Sequence, residues 1–154
     1  MLNISGDPGH ITYEVHTDRG WSTRSVEAHV RWAHRSMDFK VEVSGDVWRV
    51  NGDIRDDLTG CIDVDLGWTP ATNTLPMRRL GLEVGETKNT TAAWLRFPDL
   101  RFEMSTQEYS RLAENKWRYR SGSSEFLLET TSDLLVSRYG DDLWVASHHA
   151  TGIH

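Results

Sequence analysis

The sequence predicts an all-β fold, and three observations support this prediction. Apolar and polar residues alternate with a period of two through most of the chain, which is the pattern of half-buried strands. Clusters of Gly, Asp, Asn and Pro separate these short runs at regular spacing. Only residues 106–114 have any helical character. Together these features predict a sandwich, roll or barrel.

The first third of the chain predicts four strands that follow one another as antiparallel hairpins. In the longest strand, Val26, Ala28 and Val30 share one face because alternate residues of a strand point the same way. Asn51-Gly52 is the strongest hairpin signal in the chain, since this dipeptide suits a two-residue turn with positive φ angles. The predicted strands are residues 11–15, 21–32, 37–43 and 47–50.

The rest of the chain predicts further strands around one long connection near residues 67–79. Pro70 and Pro76 lie in this connection, and each lacks the backbone donor that a strand interior requires. The connection has room for one helical turn. The strands predicted beside it and after it are residues 61–66, 80–84, 90–97, 100–104, 117–119, 126–128 and 134–139.

Length and composition predict a single domain that is not membrane-spanning. We expect one β domain over residues 1–146 and a loose tail over residues 147–154, without a functional metal site. The net charge of −6 disfavours nucleic acid and anionic membrane surfaces as partners. The single cysteine excludes an intramolecular disulfide. Without a signal peptide or an apolar run of about 18 residues, a cytoplasmic location is expected.

Several segments between residues 13 and 139 form a pattern that carries a family resemblance. The segments are Trp48–Gly52, Gly60–Leu66, Thr69–Leu80, Ala93-Trp94, Phe97–Leu100, Gln107–Tyr109 and Trp117–Tyr119. This pattern resembles the putative glycolipid-binding family of bacterial proteins. The resemblance implies an antiparallel roll or partly open barrel with a hydrophobic concavity for an amphipathic ligand. Typical members have additional strands ahead of residues 11–15, so an uncovered strand edge could pair two copies in a homodimer.

Asp63 and Asp65 are the first candidate site residues. They lie two apart in a predicted strand, so both carboxylates project from the same face. Such a pair can bind a sugar or headgroup, hold a divalent metal, or divide acid and base roles. The structural alternative, which is the more common arrangement, is that they pair with Arg78 and Arg79 when the long connection returns to the strand. We assign no metal ligand here.

Arg78 and Arg79 could grip an anionic headgroup, because a guanidinium binds phosphate, sulfate or carboxylate in a bidentate manner. If they lie on a strand, their side chains point to opposite faces, and only one of them can contact a ligand. Thr69 and Asn73 could donate hydrogen bonds to sugar hydroxyls, although both are also ordinary turn residues. Trp94 could stack on a sugar ring or pack in the core, with Arg96 beside it on the same face.

Three functions remain open from the sequence. The first is non-catalytic binding of an amphipathic small molecule, such as a glycolipid, in an apolar cavity with a polar rim. The second is a small isomerase, cyclase or hydrolase that acts through the two aspartates and two arginines. The third is a structural or protein-interaction domain. No nucleophile motif, phosphate loop or dinucleotide fingerprint is present, so no catalytic residue and no cofactor is assigned.

Overall fold

The computed structural model describes residues 9–140 and 142–143 of the 154-residue chain. The described residues form two β-sheets, the first antiparallel and the second antiparallel except for one parallel pair, so the all-β prediction is confirmed. Contacts between residues divide the chain into two compact units, the first ending at Gly60 and the second beginning at Cys61. The prediction of a single domain over residues 1–146 stays a prediction. The predicted tail, residues 147–154, lies outside the described residues.

The first unit is a five-stranded sheet in which neighbours along the chain are also neighbours in the sheet. Its strands are antiparallel, as the sequence predicts, and Val26, Ala28 and Val30 are buried on one face. Asn51 and Gly52 have φ angles of 52° and 88° and form the predicted two-residue hairpin turn. The strands are β1 (His10–Thr17), β2 (Thr23–Trp32), β3 (Arg35–Ser44), β4 (Val47–Val50) and β5 (Asp53–Ile54).

The second unit is a seven-stranded sheet that curls into a half-barrel, as the resemblance implies. Its strands are β6 (Asp63–Leu66), β7 (Thr87–Leu95), β8 (Phe102–Ala113), β9 (Lys116–Ser121), β10 (Ser124–Thr130), β11 (Val136–Tyr139) and β12 (Asp142–Leu143). The order across the sheet is β12-β11-β10-β9-β8-β7-β6, and every neighbouring pair is antiparallel except β6 with β7. A buried cluster that includes Met77, Leu82, Trp117 and Leu128 forms part of its core.

The long connection joins the two parallel strands β6 and β7, and it is largely helical. A parallel pair needs a crossover of a dozen or more residues, often a helix, and this one contains a 3₁₀ turn at Pro70–Asn73 and helix α1 at Thr74–Leu80. The Thr69 hydroxyl accepts a hydrogen bond from the Ala71 backbone amide and caps the turn. Gly81, with φ 58°, ends α1 in the left-handed conformation.

Two expectations about local structure are wrong. Residues 80–84 contain no strand, because α1 extends to Leu80 and turns follow it. Residues 106–114 are not helical but belong mostly to β8, where Ser105, Gln107 and Tyr109 are buried at alternate positions. The buried face of β8 includes polar residues, so the hydrophobic alternation that identifies a strand is missing from the sequence.

Candidate functional site

The second unit contains a concave pocket with a volume of about 800 Å³. Five aromatic side chains contribute to its lining, namely Trp68, Trp94, Tyr119, Phe126 and Tyr139. Side-chain hydroxyls come from six further residues, namely Thr69, Ser105, Thr106, Ser121, Ser123 and Ser124. The pocket therefore offers apolar ring surface together with many hydrogen-bonding groups.

Asp65 supplies a carboxylate to this pocket. It lies in β6, and the parallel register pairs it with Trp94 of β7, so both residues reach the pocket from neighbouring strands. Its Oδ2 accepts a hydrogen bond of 2.8 Å from Gln107 Nε2 and a longer one of 3.5 Å from the Tyr119 hydroxyl. Burial raises the pKa of Asp65 to about 6, although both hydrogen bonds favour the ionised form. The carboxylate is mostly ionised at pH 7 and titrates just below neutrality.

A row of aromatic rings extends from the buried core to the pocket. The ring centroids of Tyr109 and Tyr119 are 5.0 Å apart, those of Tyr119 and Phe126 are 6.3 Å apart, and those of Phe126 and Tyr139 are 4.8 Å apart. Asn73 donates a hydrogen bond of 2.9 Å to the Tyr109 hydroxyl and so ties the 3₁₀ turn to this row. Burial raises the pKa of the Tyr109, Tyr119 and Tyr139 hydroxyls, which therefore remain protonated donors.

Asp63 belongs to a separate polar network outside the pocket lining. Arg79 of α1 donates to both carboxylate oxygens of Asp63, at 3.2 and 2.7 Å, and Thr90 donates to Oδ2 at 2.9 Å. Burial raises the pKa of Asp63, while the guanidinium and the hydroxyl act in the opposite direction. The contacts of Asp63 are those of a structural ion pair that connects β6, α1 and β7.

Arg78 and Arg79 lie on α1 rather than on a strand. The directions of their two side chains therefore follow helical geometry and not the alternation of a strand. Arg78 donates a hydrogen bond to the backbone carbonyl of Asp133. The predicted ion pair therefore forms between Asp63 and Arg79 alone, whereas Asp65 and Arg78 have other partners. Neither arginine is part of the pocket lining.

Arg96 is also outside the lining, although it contacts residues that line the pocket. Its guanidinium lies 5.5 Å from the Trp94 ring centroid, and it forms ion pairs with Asp99 at 3.2 Å and Glu103 at 3.6 Å. The predicted neighbourhood of Trp94 and Arg96 is therefore present, with the cation held by two carboxylates.

Of the eight candidate site residues, the structure brings four together in the pocket lining, namely Asp65, Thr69, Asn73 and Trp94. Asp63, Arg78, Arg79 and Arg96 lie outside it. The sequence did not indicate Tyr119 or the lining serines, namely Ser105, Ser121, Ser123 and Ser124, as site residues. It also did not indicate Gln107, which binds Asp65. The sequence does contain an indication of Gln107 and Ser105. A polar residue on the inner face of a strand needs a hydrogen-bond partner, so its presence there points to a polar site. That signal becomes visible only when residues 102–113 are identified as a strand.

The described part of the chain shows no group of three or more His, Cys, Asp or Glu side chains arranged to hold a metal ion. Within the same residues, no helix has the length and apolar character that crossing a bilayer requires.

Comparisons with known proteins agree with this architecture. A family model described as putative glycolipid-binding matches residues 2–144. The crystal structure of a DUF1089 family protein from Pseudomonas aeruginosa is similar to the chain with a TM-score of 0.82 and 29% sequence identity, over 91% of this chain and 78% of that protein. No curated protein matches the chain.

Proposed function

The chain belongs to the putative glycolipid-binding family, and from this premise we propose that its second unit binds an amphipathic small molecule, a glycolipid, without chemically changing it. The site of binding is the pocket between the 3₁₀ turn and strands β6 to β11. Asp65, Thr69, Asn73, Trp94 and Tyr119 contribute to its wall. Gln107 lies outside the lining and holds the Asp65 carboxylate by a hydrogen bond.

The observation that carries this proposal is the composition of the pocket wall. Its volume of about 800 Å³ falls within the range of small-molecule sites, which is roughly 300–1,000 Å³. Trp68 and Phe126 offer flat apolar surface for an acyl chain or for the C–H face of a sugar ring. Hydroxyl side chains at Thr69 and Ser121 can exchange hydrogen bonds with sugar hydroxyls. An amphipathic ligand matches both kinds of surface, whereas a purely apolar or purely polar ligand matches one.

Mass spectrometry of material extracted from the purified protein tests the proposal directly, with glycolipid the expected co-purified compound. In a second experiment, alkyl glycosides and glycosyl diacylglycerols are added while tryptophan emission and the melting temperature are recorded. At a ligand concentration of ~100 times Kd, the stabilisation is expected to be about 2.7 kcal/mol. A panel of glycolipids, phospholipids and free sugars that changes neither readout, together with an extract free of lipid, would refute the proposal.

A matched pair of variants assigns the binding to the pocket. Trp94→Ala removes a half-buried indole from the lining, and Trp32→Ala removes a half-buried indole from β2 in the first unit. We expect Trp94→Ala to weaken the ligand-induced stabilisation while Trp32→Ala leaves it unchanged. Equal effects of the two substitutions would place the binding elsewhere.

An enzymatic role is the second candidate, and one observation favours it. The raised pKa of Asp65, about 6, suits a general base near neutral pH. The other groups first considered for catalysis are engaged, since Asp63 and Arg79 bind each other. If the protein is an enzyme, incubation with the co-purified compound yields a new product, and Asp65→Asn abolishes that conversion while binding persists. An unchanged compound supports the binding role.

A further inference from the structure

The charged side chains that line the pocket are both carboxylates. They belong to Asp65 and Glu103, and no lysine or arginine of the described residues is among the lining. Glu103 has a counter-ion outside the lining, because its Oε2 lies 3.6 Å from Nη1 of Arg96. Asp65 has neutral partners, Gln107 and Tyr119, and no basic side chain in the described ranges forms an ion pair with it. The pocket therefore contains one negative charge that has no direct counter-ion.

Asp65 also retains capacity to accept hydrogen bonds. Gln107 and Tyr119 both donate to Oδ2, and within residues 9–140 no donor is seen at Oδ1. An ionised carboxylate has about four acceptor positions on its two oxygens. Asp65 is half-buried and lines the pocket, so a ligand bound there lies next to this residue.

These two features discriminate between kinds of headgroup. A phosphate or sulfate head would bring a second negative charge next to Asp65, without an arginine or lysine in the wall to bind it. A head with hydroxyl groups can donate to Asp65 at no electrostatic cost. A quaternary ammonium head has the opposite charge but has no hydrogen to donate, and the guanidinium of Arg96 already lies 5.5 Å from the centroid of the Trp94 ring.

We propose that the pocket selects amphipathic ligands whose head is uncharged and bears hydroxyl groups, with Asp65 accepting from a head hydroxyl, and that it discriminates against phosphate and sulfate heads. This inference rests on the proposed binding function and narrows its ligand class. Neutral glycolipids fall within the class, whereas phospholipids and sulfated lipids fall outside it.

Three ligands with the same twelve-carbon chain test the inference. They are dodecyl maltoside, dodecyl phosphate and dodecyltrimethylammonium, each titrated below its critical micelle concentration and followed by calorimetry. We expect the Kd of dodecyl maltoside to be at least about tenfold lower than that of either charged ligand, because two like charges a few ångströms apart repel strongly in a partly buried site. Either charged ligand binding as tightly as the maltoside would overturn the inference.

Variants then assign the selectivity to Asp65. Asp65→Asn removes the charge at nearly constant volume, and we expect it to reduce the preference for maltoside over phosphate at least about threefold. The control is Asp53→Asn, the same change at an exposed position of β5 in the first unit, and it should leave the preference unchanged. An unchanged preference in Asp65→Asn would refute the role of this carboxylate. If none of the three ligands binds to the wild-type protein, the proposed function fails as well, whereas binding of all three with equal affinity refutes only the selectivity.

Discussion

At the scale of single residues, Asp65 places a carboxylate among aromatic rings and couples folding to pH. Burial raises its pKa from the ordinary value of 3.8 to about 6. The folded protein therefore binds this proton more tightly than the unfolded chain does. The stabilisation associated with protonated Asp65 is complete below about pH 4 and is lost as the pH rises through about 6.

Asp65→Asn should remove this pH dependence, because asparagine has a similar shape but does not titrate. A difference of about two pKa units corresponds to at most about 3 kcal/mol of unfolding free energy, and the partial exposure of Asp65 to the pocket reduces it. The stability of the variant relative to the wild type should therefore increase between pH 4 and pH 7. Urea denaturation at pH 4, 5, 6 and 7 measures this increase, and parallel pH profiles of the two proteins would contradict the prediction.

The ion pair between Asp63 and Arg79 leads to a prediction about stability rather than about binding. Their ion pair is largely buried, with side-chain exposures of 2% for Asp63 and 16% for Arg79. Arg79→Ala leaves the buried carboxylate without its counter-ion, and such changes typically cost about 3–5 kcal/mol. Arg78→Ala is the matched control, since it loses a hydrogen bond to a backbone carbonyl and should cost markedly less. Equal losses of unfolding free energy in denaturant titrations would show that the pair is not the main stabilising contact.

At the scale of elements, the close approach of the chain after β6 to the end of β7 depends on a glycine. A Cβ atom at Gly67 would lie 2.7 Å from the Leu95 carbonyl oxygen and 3.0 Å from the Phe97 amide nitrogen. Both are backbone atoms, so they can move only if the β6–β7 segment shifts. The close approach accompanies a hydrogen bond of 2.9 Å from the Gly67 amide to the Leu95 carbonyl.

Gly67→Ala should therefore destabilise the protein by about 1–3 kcal/mol, the usual cost of overpacking. Gly20→Ala is the control, because a Cβ there would approach only the Asp18 carboxylate at 3.4 Å in an exposed turn. Thermal unfolding of the two variants measures the difference. Gly67 also lines the pocket, so ligand binding by Gly67→Ala should decline together with stability. Similar melting temperatures for both variants would contradict the close packing of β6 and β7.

At the scale of the whole molecule, the prediction of one domain over residues 1–146 can be tested by cooperativity. The chain contains two compact units, one ending at Gly60 and the other beginning at Cys61. If it behaves as one domain, it unfolds in a single two-state transition in which the calorimetric and van't Hoff enthalpies agree. Ligands of the second unit should then raise the melting temperature of the entire chain. Two separate transitions, of which only one responds to ligand, would mean that the units unfold independently.

The sequence by itself determined the strands whose buried faces are apolar and whose turns carry specific residues. Val26, Ala28 and Val30 alternate in hydrophobicity, and Asn51-Gly52 has the composition that a tight hairpin turn requires. These signals are local, since side-chain period and turn conformation depend on neighbouring residues only. The family resemblance likewise identified the ligand class that we propose, and Asp65 and Trp94 were candidates before their geometry was known.

Only the tertiary structure decided how the polar residues divide between a structural network and the pocket. Asp63 and Asp65 are equivalent in the sequence, yet α1 brings Arg79 to the first, and β8 brings Gln107 to the second. The partners are separated by 16 and 42 residues, so no local pattern encodes the pairing. The crossover that makes β6 parallel to β7 places Arg79 beside Asp63 and Asp65 beside Trp94. Long-range packing therefore determines which carboxylate stabilises the fold and which one remains available to a ligand.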